Sequence, residues 1–251
     1  SRSAGCLVVE LKLKALGIFM LLVWLTAACS SDSADRALKS RSAIDAEPVL
    51  LQAVEQLMGL ESASFSLSHL KGSTVLMPGV LMTKISGEVS IPNRSRVTVE
   101  AQIQFPKSYV EIDIVRIQET AYMTSIFGGD WNQIPAESLP FNLSGLGLTM
   151  AEIVDAIQKP KILGEERLDG INTLRIGGMI NSKDLVKLVP GAAGDVGVDL
   201  KLWINREDGL LQRVLIAGRV VPTDDVDTVR DLILKNINRP VVINAPLETI
   251  G

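Results

Sequence analysis

Cysteine occurs twice in the 251 residues, at Cys6 and Cys29, and histidine once, at His69. That excludes a multi-histidine or thiolate metal centre and a His-based catalytic motif, since each needs several such side chains at fixed spacing. A lone imidazole in an alternating segment reads as a structural group, because a general base needs a positioned partner. Aromatic residues are scarce as well, with five Phe, three Trp and two Tyr, so any large apolar surface must be aliphatic. The formal charge is −4, and no basic cluster suggests a nucleic-acid partner. No G-x-S-x-G, H-E-x-x-H or phosphate loop is present, and Gly191-Ala-Ala-Gly-Asp-Val-Gly197 has the wrong spacing and the wrong predecessor for a dinucleotide fingerprint. The sequence therefore points away from an enzyme and gives no sign of a metal or cofactor site.

The N-terminus holds what the rest lacks, a long apolar run. Arg2, Lys12 and Lys14 precede residues 15–28, fourteen in a row without charge, ending in Thr26-Ala27-Ala28-Cys29. Fourteen is short of the roughly twenty residues that cross a bilayer, whereas a basic start, short apolar middle and small-residue end describe a signal peptide. Thr26-Ala27-Ala28-Cys29 resembles the lipobox of bacterial lipoproteins, with Thr26 where that pattern usually has Leu. The resemblance implies cleavage before Cys29, acylation of its thiol and anchoring to the extracytoplasmic face of the plasma membrane. Two or three acyl chains would hold the protein stably, at about 0.8 kcal/mol per buried methylene. Removing residues 1–28 takes away Arg2, Lys12, Lys14 and Glu10 and moves the formal charge from −4 to −6. Residues 29–47, small, polar and charged, read as the lipidated end and a flexible tether. Residues 48–251 read as one domain.

Within that domain, residues 48–60 (PVLLQAVEQLMGL) have helical apolar spacing. From 62 to 117 the period becomes two, in SFSLSHL, TKISGEVSI, SRVTVEAQIQF and SYVEIDIVRI, as expected of antiparallel strands with one buried face. Residues 121–126 form another strand, followed by a tight turn at 128–131 and a loop to Pro140. A second helix is predicted over 148–158, with Thr149 and Glu152 as a capping box and Pro160 as its stop. Residues 162–180 predict a hairpin turning at Asp169-Gly170, and 197–219 alternate around Asp208-Gly209. A third helix at 182–189, capped by Ser182, and strands at 228–234 and 241–243 complete the pattern. Asp224, Asp225 and Asp227 lack the spacing of a calcium loop and read as a solvated turn. The fold class is α+β, dominated by one antiparallel sheet.

The order of ESASFSLSH, ISGEVSIPNRSRVTVEA, AYMTSIFGGDWNQIP, LGEERLDGINTLRIGGMI, LKLWINREDGLLQRVLIAGRV and NINRPVVINAP resembles the mycobacterial-type lipoprotein family of LppX, LprG, LprA and LprF. That resemblance implies a strongly bent sheet, a half-barrel, with helices over its concave face and an apolar cavity between them. It further implies carriage of diacyl or triacyl lipids or glycolipids between the plasma membrane and the outer envelope; a membrane lipid exporter is a partner of some relatives. Enclosure is demanding, because an acyl chain of about fifteen methylenes costs roughly 12 kcal/mol to expose to water. Candidate lining residues are Leu76, Val80 and Leu81 in VLMPGVLM, Phe127, Phe141, Leu143, Leu146 and Leu148 before the second helix, and Ile153, Val154 and Ile157 on its stripe. VLMPGVLM interrupts two alternating strands with an apolar connection where a polar one is usual, and is read as a membrane-facing lip. The competing reading is a surface lipoprotein whose core is filled by its own side chains and whose sheet serves as a protein-interaction scaffold.

Overall fold

The computed structural model describes residues 45–125, 130–139, 141–189 and 191–246. The predicted signal peptide, Cys29 with most of its tether, and Phe127 lie outside them. Among the described residues no helix is long and apolar enough to cross a membrane.

The chain opens with α1 (Ala46–Met58), whose N-terminus is capped by Asp45 accepting from the Glu47 amide at 3.3 Å. Its buried residues, Ala46, Leu50, Ala53 and Leu57, recur at the three-to-four spacing of a single stripe. Strands follow in meander: β1 (Ser62–Lys71), β2 (Thr74–Met77), β3 (Val80–Ser90), β4 (Arg94–Ile103), β5 (Ser108–Ile117), β6 (Thr120–Thr124) and β7 (Trp131–Pro135). Helix α2 (Leu146–Asp155) separates these from β8 (Gln158–Leu168), β9 (Ile171–Asn181), β10 (Gly197–Asn205), β11 (Leu211–Ala217) and β12 (Val229–Lys235).

Among the described residues twelve strands form one antiparallel sheet in the order β7-β6-β5-β4-β3-β1-β12-β11-β10-β9-β8, with β2 on β3. The sheet is open, its edges being β7 and β8. Register shifts interrupt the ladders at His69/Lys71, Met82/Lys84, Trp203/Ile204 and twice in β8, and such bulges bend and twist a sheet. One row of paired residues crosses nine strands: Ile112, Val99, Ile85, Leu67, Leu232, Val214, Leu202, Ile176 and Ile162. Every member belongs to the core or packs against it, so this face is the inner one, and both helices contribute their stripes to the same core. At about 25 cal/mol per Å² of apolar surface, that row is what holds an otherwise open sheet to its helices.

Six expectations need correction. Helix α2 begins two residues early: burial of Leu146 and Gly147 draws the first turn inward, Gly145 takes the cap position without a side-chain bond, and the Thr149 amide donates to the Gly145 carbonyl at 2.8 Å. Glu152, the supposed capping partner, instead accepts from Lys187 Nζ at 2.5 Å. Pro160 lies within β8, where an edge strand tolerates a missing donor. The expected third helix shrinks to a 3-10 turn, Ser182–Leu185, because the Ser182 hydroxyl donates outward to the Ala193 and Gly194 carbonyls. Residues 131–135 form strand β7 rather than loop, whereas 241–243 form no strand, the Ile243 carbonyl accepting from Arg94 Nη1 at 2.8 Å.

Candidate functional site

The inner face gathers six of the predicted lining residues. Leu146, Ile153, Val154 and Ile157 are buried in the core, and Phe141 and Leu143 pack half-buried against it. The 141–145 segment is fixed to the sheet by Arg116, whose Nη1 donates to Asn142 Oδ1 at 3.0 Å and to the Ser144 hydroxyl. Helix α2 then rests on α1 through Gly147, where a Cβ would stand 2.3 Å from the Leu57 carbonyl oxygen. Leu148 falls on the solvent side of the helix at 55% exposure. Val80 and Leu81 are half-buried at the start of β3, and Leu76 is 45% exposed on β2. VLMPGVLM is thus a β-hairpin, not an irregular connection; Pro78-Gly79 supplies its turn and Gly79 its positive φ of 82°.

The next row of the inner face turns polar on β1 and β12. Arg230 sits opposite His69 on β1 and Ile216 on β11, fully buried. Its Nη2 donates to both Asp224 oxygens at 2.7 and 2.8 Å and to Thr74 Oγ1 at 2.8 Å. Asp224 Oδ2 also accepts from the Val220 and Val221 amides at 2.9 and 3.0 Å. Burial pushes the Asp224 carboxyl up, but Arg230 and these two amides outweigh it, and the net shift is below the usual carboxylate range. The expected solvated turn holds for Asp225 and Asp227, which are exposed, Asp227 pairing with Lys71 at the surface, but not for Asp224, which is only 3% exposed. Arg230 Nε and Nη1 have no hydrogen-bond partner among the described residues.

Thr74 passes the network to the histidine. With its oxygen accepting from Arg230, its proton is free for His69 Nε2 at 2.9 Å, which leaves Nδ1–H toward the Thr83 carbonyl at 3.4 Å. Burial lowers the His69 pKa below 6.5, with the Arg230 charge adding to it against the Thr83 carbonyl and Asp224. A depressed folded-state value means that stability is complete above pH 6.5 and falls as the pH drops through the folded value. His69→Gln is expected to flatten that limb of the stability profile below pH 6.5, measured by urea unfolding.

A cavity of about 560 Å³ opens on the other face, bordered by Arg213, Asp231, Ile233 and Lys235 and by turn residues Asp169 and Asp208. Arg213 makes a bidentate pair with Asp231 there and stacks 4.9 Å from the Trp203 ring centroid. None of the predicted lining residues borders this cavity.

An open antiparallel sheet, apolar on one face and holding two helices against it, defines a half-barrel class. Two solved lipoproteins share it: LprF of Mycobacterium bovis, at TM-score 0.63 and 21% identity over 80% of this chain and 96% of that one, and LppX of Mycobacterium tuberculosis, at 0.55 and 18% over 80% and 100%. The model of the LppX_LprAFG lipoproteins matches residues 45–241, and the chain belongs to that family. Lipoarabinomannan carrier protein LprG, from M. tuberculosis and M. bovis, is 25% identical over 169 residues, 64% of this chain and 67% of the relative.

Proposed function

We propose that the protein is a membrane-tethered carrier of acylated lipid or glycolipid. The observation that supports this most is the continuous aliphatic row across nine strands facing two helices, within a family whose relatives include a named lipoarabinomannan carrier. Residues 1–28 act as the signal, Cys29 as the acylated anchor, and residues 29–47, less Asp45–Glu47, which cap and open α1, as the tether of the domain that follows. Acyl chains lie between the helix pair and the inner face, against Phe141, Leu143, Leu146, Ile153, Val154 and Ile157, and Phe127, outside the described residues, is a further proposed contact. Leu76, Val80, Leu81 and Leu148 serve nearer the rim. Loading moves α1 and α2 off the sheet, since those side chains otherwise pack on one another. Transfer runs between the plasma membrane and the outer envelope, with a membrane lipid exporter as donor or acceptor. No step of this calls for catalysis.

The test is mass spectrometry of lipids extracted from the Cys29→Ala chain, secreted by its own signal and purified without detergent. A diacyl or triacyl species at about one per protein is the expected result, because a cargo of that apolar area does not leave for water. Absence of bound lipid, together with absence of uptake from vesicles, would replace the carrier with the filled-core interaction scaffold.

A further inference from the structure

Two hairpin tips stand side by side at one end of the sheet. The β2–β3 tip carries Leu76 and Met77, 45% and 53% exposed, and the β4–β5 tip carries Phe105 and Tyr109, 93% and 74% exposed. The Gln104 amide donates to the Gly79 carbonyl at 2.8 Å, which joins the tips into one surface. Ordinary monomers scatter exposed apolar side chains singly; four large ones at a joined edge mark an interaction site.

Charge selects the partner. No acidic side chain lies in residues 74–82 or 101–110, and Lys107 in the β4–β5 turn is the one charge of the two stretches; Lys71 and Lys84, nearer the base, are paired with Asp227 and Glu100. An apolar tip whose one charge is the Lys107 ammonium suits an anionic lipid surface, where the methylene stem enters the interface and the ammonium group stays among the headgroups. Thr74, buried at the base of the tip, is held by Arg230 and His69, which anchors the strand that carries Leu76 and Met77.

We infer that these tips dock the protein on an anionic lipid bilayer, inserting Phe105, Leu76 and Met77 into the acyl boundary. This goes beyond cargo binding and does not depend on which lipid is carried.

A tryptophan placed at the tip reads insertion directly. The full chain with Phe105→Trp, and separately with Val242→Trp, is mixed with phosphatidylglycerol vesicles carrying brominated or plain acyl chains, and the parent chain's emission is subtracted. Val242 is 76% exposed and lies next to Ile243, which binds Arg94 at the other end of β4. Bromine quenches only a ring that enters the acyl layer, so attachment through any other segment gives no signal at residue 105. The expected result is quenching of the added emission by about half at 105 and none at 242. Leu76→Asp with Met77→Asp in the Phe105→Trp chain abolishes it, and Lys107→Glu weakens it several-fold. Quenching at 105 no greater than at 242 overturns the inference and leaves the tips to a protein partner.

Discussion

Asp224→Ala is expected to destabilise the protein by about 3–5 kcal/mol, because removing one member of a buried ion pair strands the other charge. The stranded group is Arg230, fully buried, with Nε and Nη1 already unpartnered. Asp224 has a second duty, accepting the Val220 and Val221 amides, and losing an acceptor from a buried donor costs about 1–3 kcal/mol each. Arg230→Met is therefore the milder change, since Asp224 keeps both amides and can take up a proton. Asp224→Asn with Arg230→Met removes both charges while leaving an amide oxygen for the two backbone donors. That double variant is expected within about 1 kcal/mol of the parent, as replacement of a buried pair often is. Urea unfolding with an unchanged slope checks all three; a double variant as weak as Asp224→Ala would mean that the pair itself holds the loop. Acid follows the same logic: the depressed Asp224 carboxyl contributes stability above its usual 3.8 that is lost as pH falls through the folded value. The double variant lacks that limb.

How much of this was legible in the sequence depends on how local the signal was. Period-two alternation located β1, β3, β4 and β5 because one face of each is buried, and Asp169-Gly170 marked its hairpin because both residues adopt positive φ, 48° and 88°. The inner row needed only that alternation plus pairing. Strand β7 was hidden by its shortness and by Pro135, which an edge position allows. The start of α2 was misplaced because Thr149 and Glu152 match a capping box, yet burial of Leu146 was worth more than a surface cap of about 1 kcal/mol. The Asp224–Arg230 pair was missed although half of it was visible: Arg230 alternates in phase with Leu232 and Leu234, which places a charge on the buried face. What alternation could not show was its company, since Thr74 lies 156 residues away. The tips were half legible too, VLMPGVLM by composition, Phe105 and Tyr109 only once the β4–β5 turn was placed beside it.

Gly147→Val is expected to cost about 2–3 kcal/mol, the overpacking range for a filled core, and to lower the unfolding midpoint by roughly 5–10 °C. The valine Cβ would meet the Leu57 carbonyl oxygen at 2.3 Å, in the last turn of α1, and the Leu60 Cβ at 2.9 Å, just past its end. A backbone carbonyl cannot step aside as a flexible side chain can, so the helices must part by about an ångström, and packing falls off steeply over such a gap. Gly145→Ser is the control: its Cβ meets nothing within 4 Å, and a change within about 0.5 kcal/mol is expected. The two substitutions sit two residues apart on the same segment, so a difference between them isolates the helix contact. That contact also bears on function. If cargo lies between the helix pair and the inner face, a pair already prised apart takes up a fluorescent diacyl lipid from vesicles faster than the parent and releases it faster. A filled-core scaffold shows the loss of stability with no uptake in either protein, so scanning calorimetry and vesicle uptake on this one variant separate the packing claim from the carrier claim.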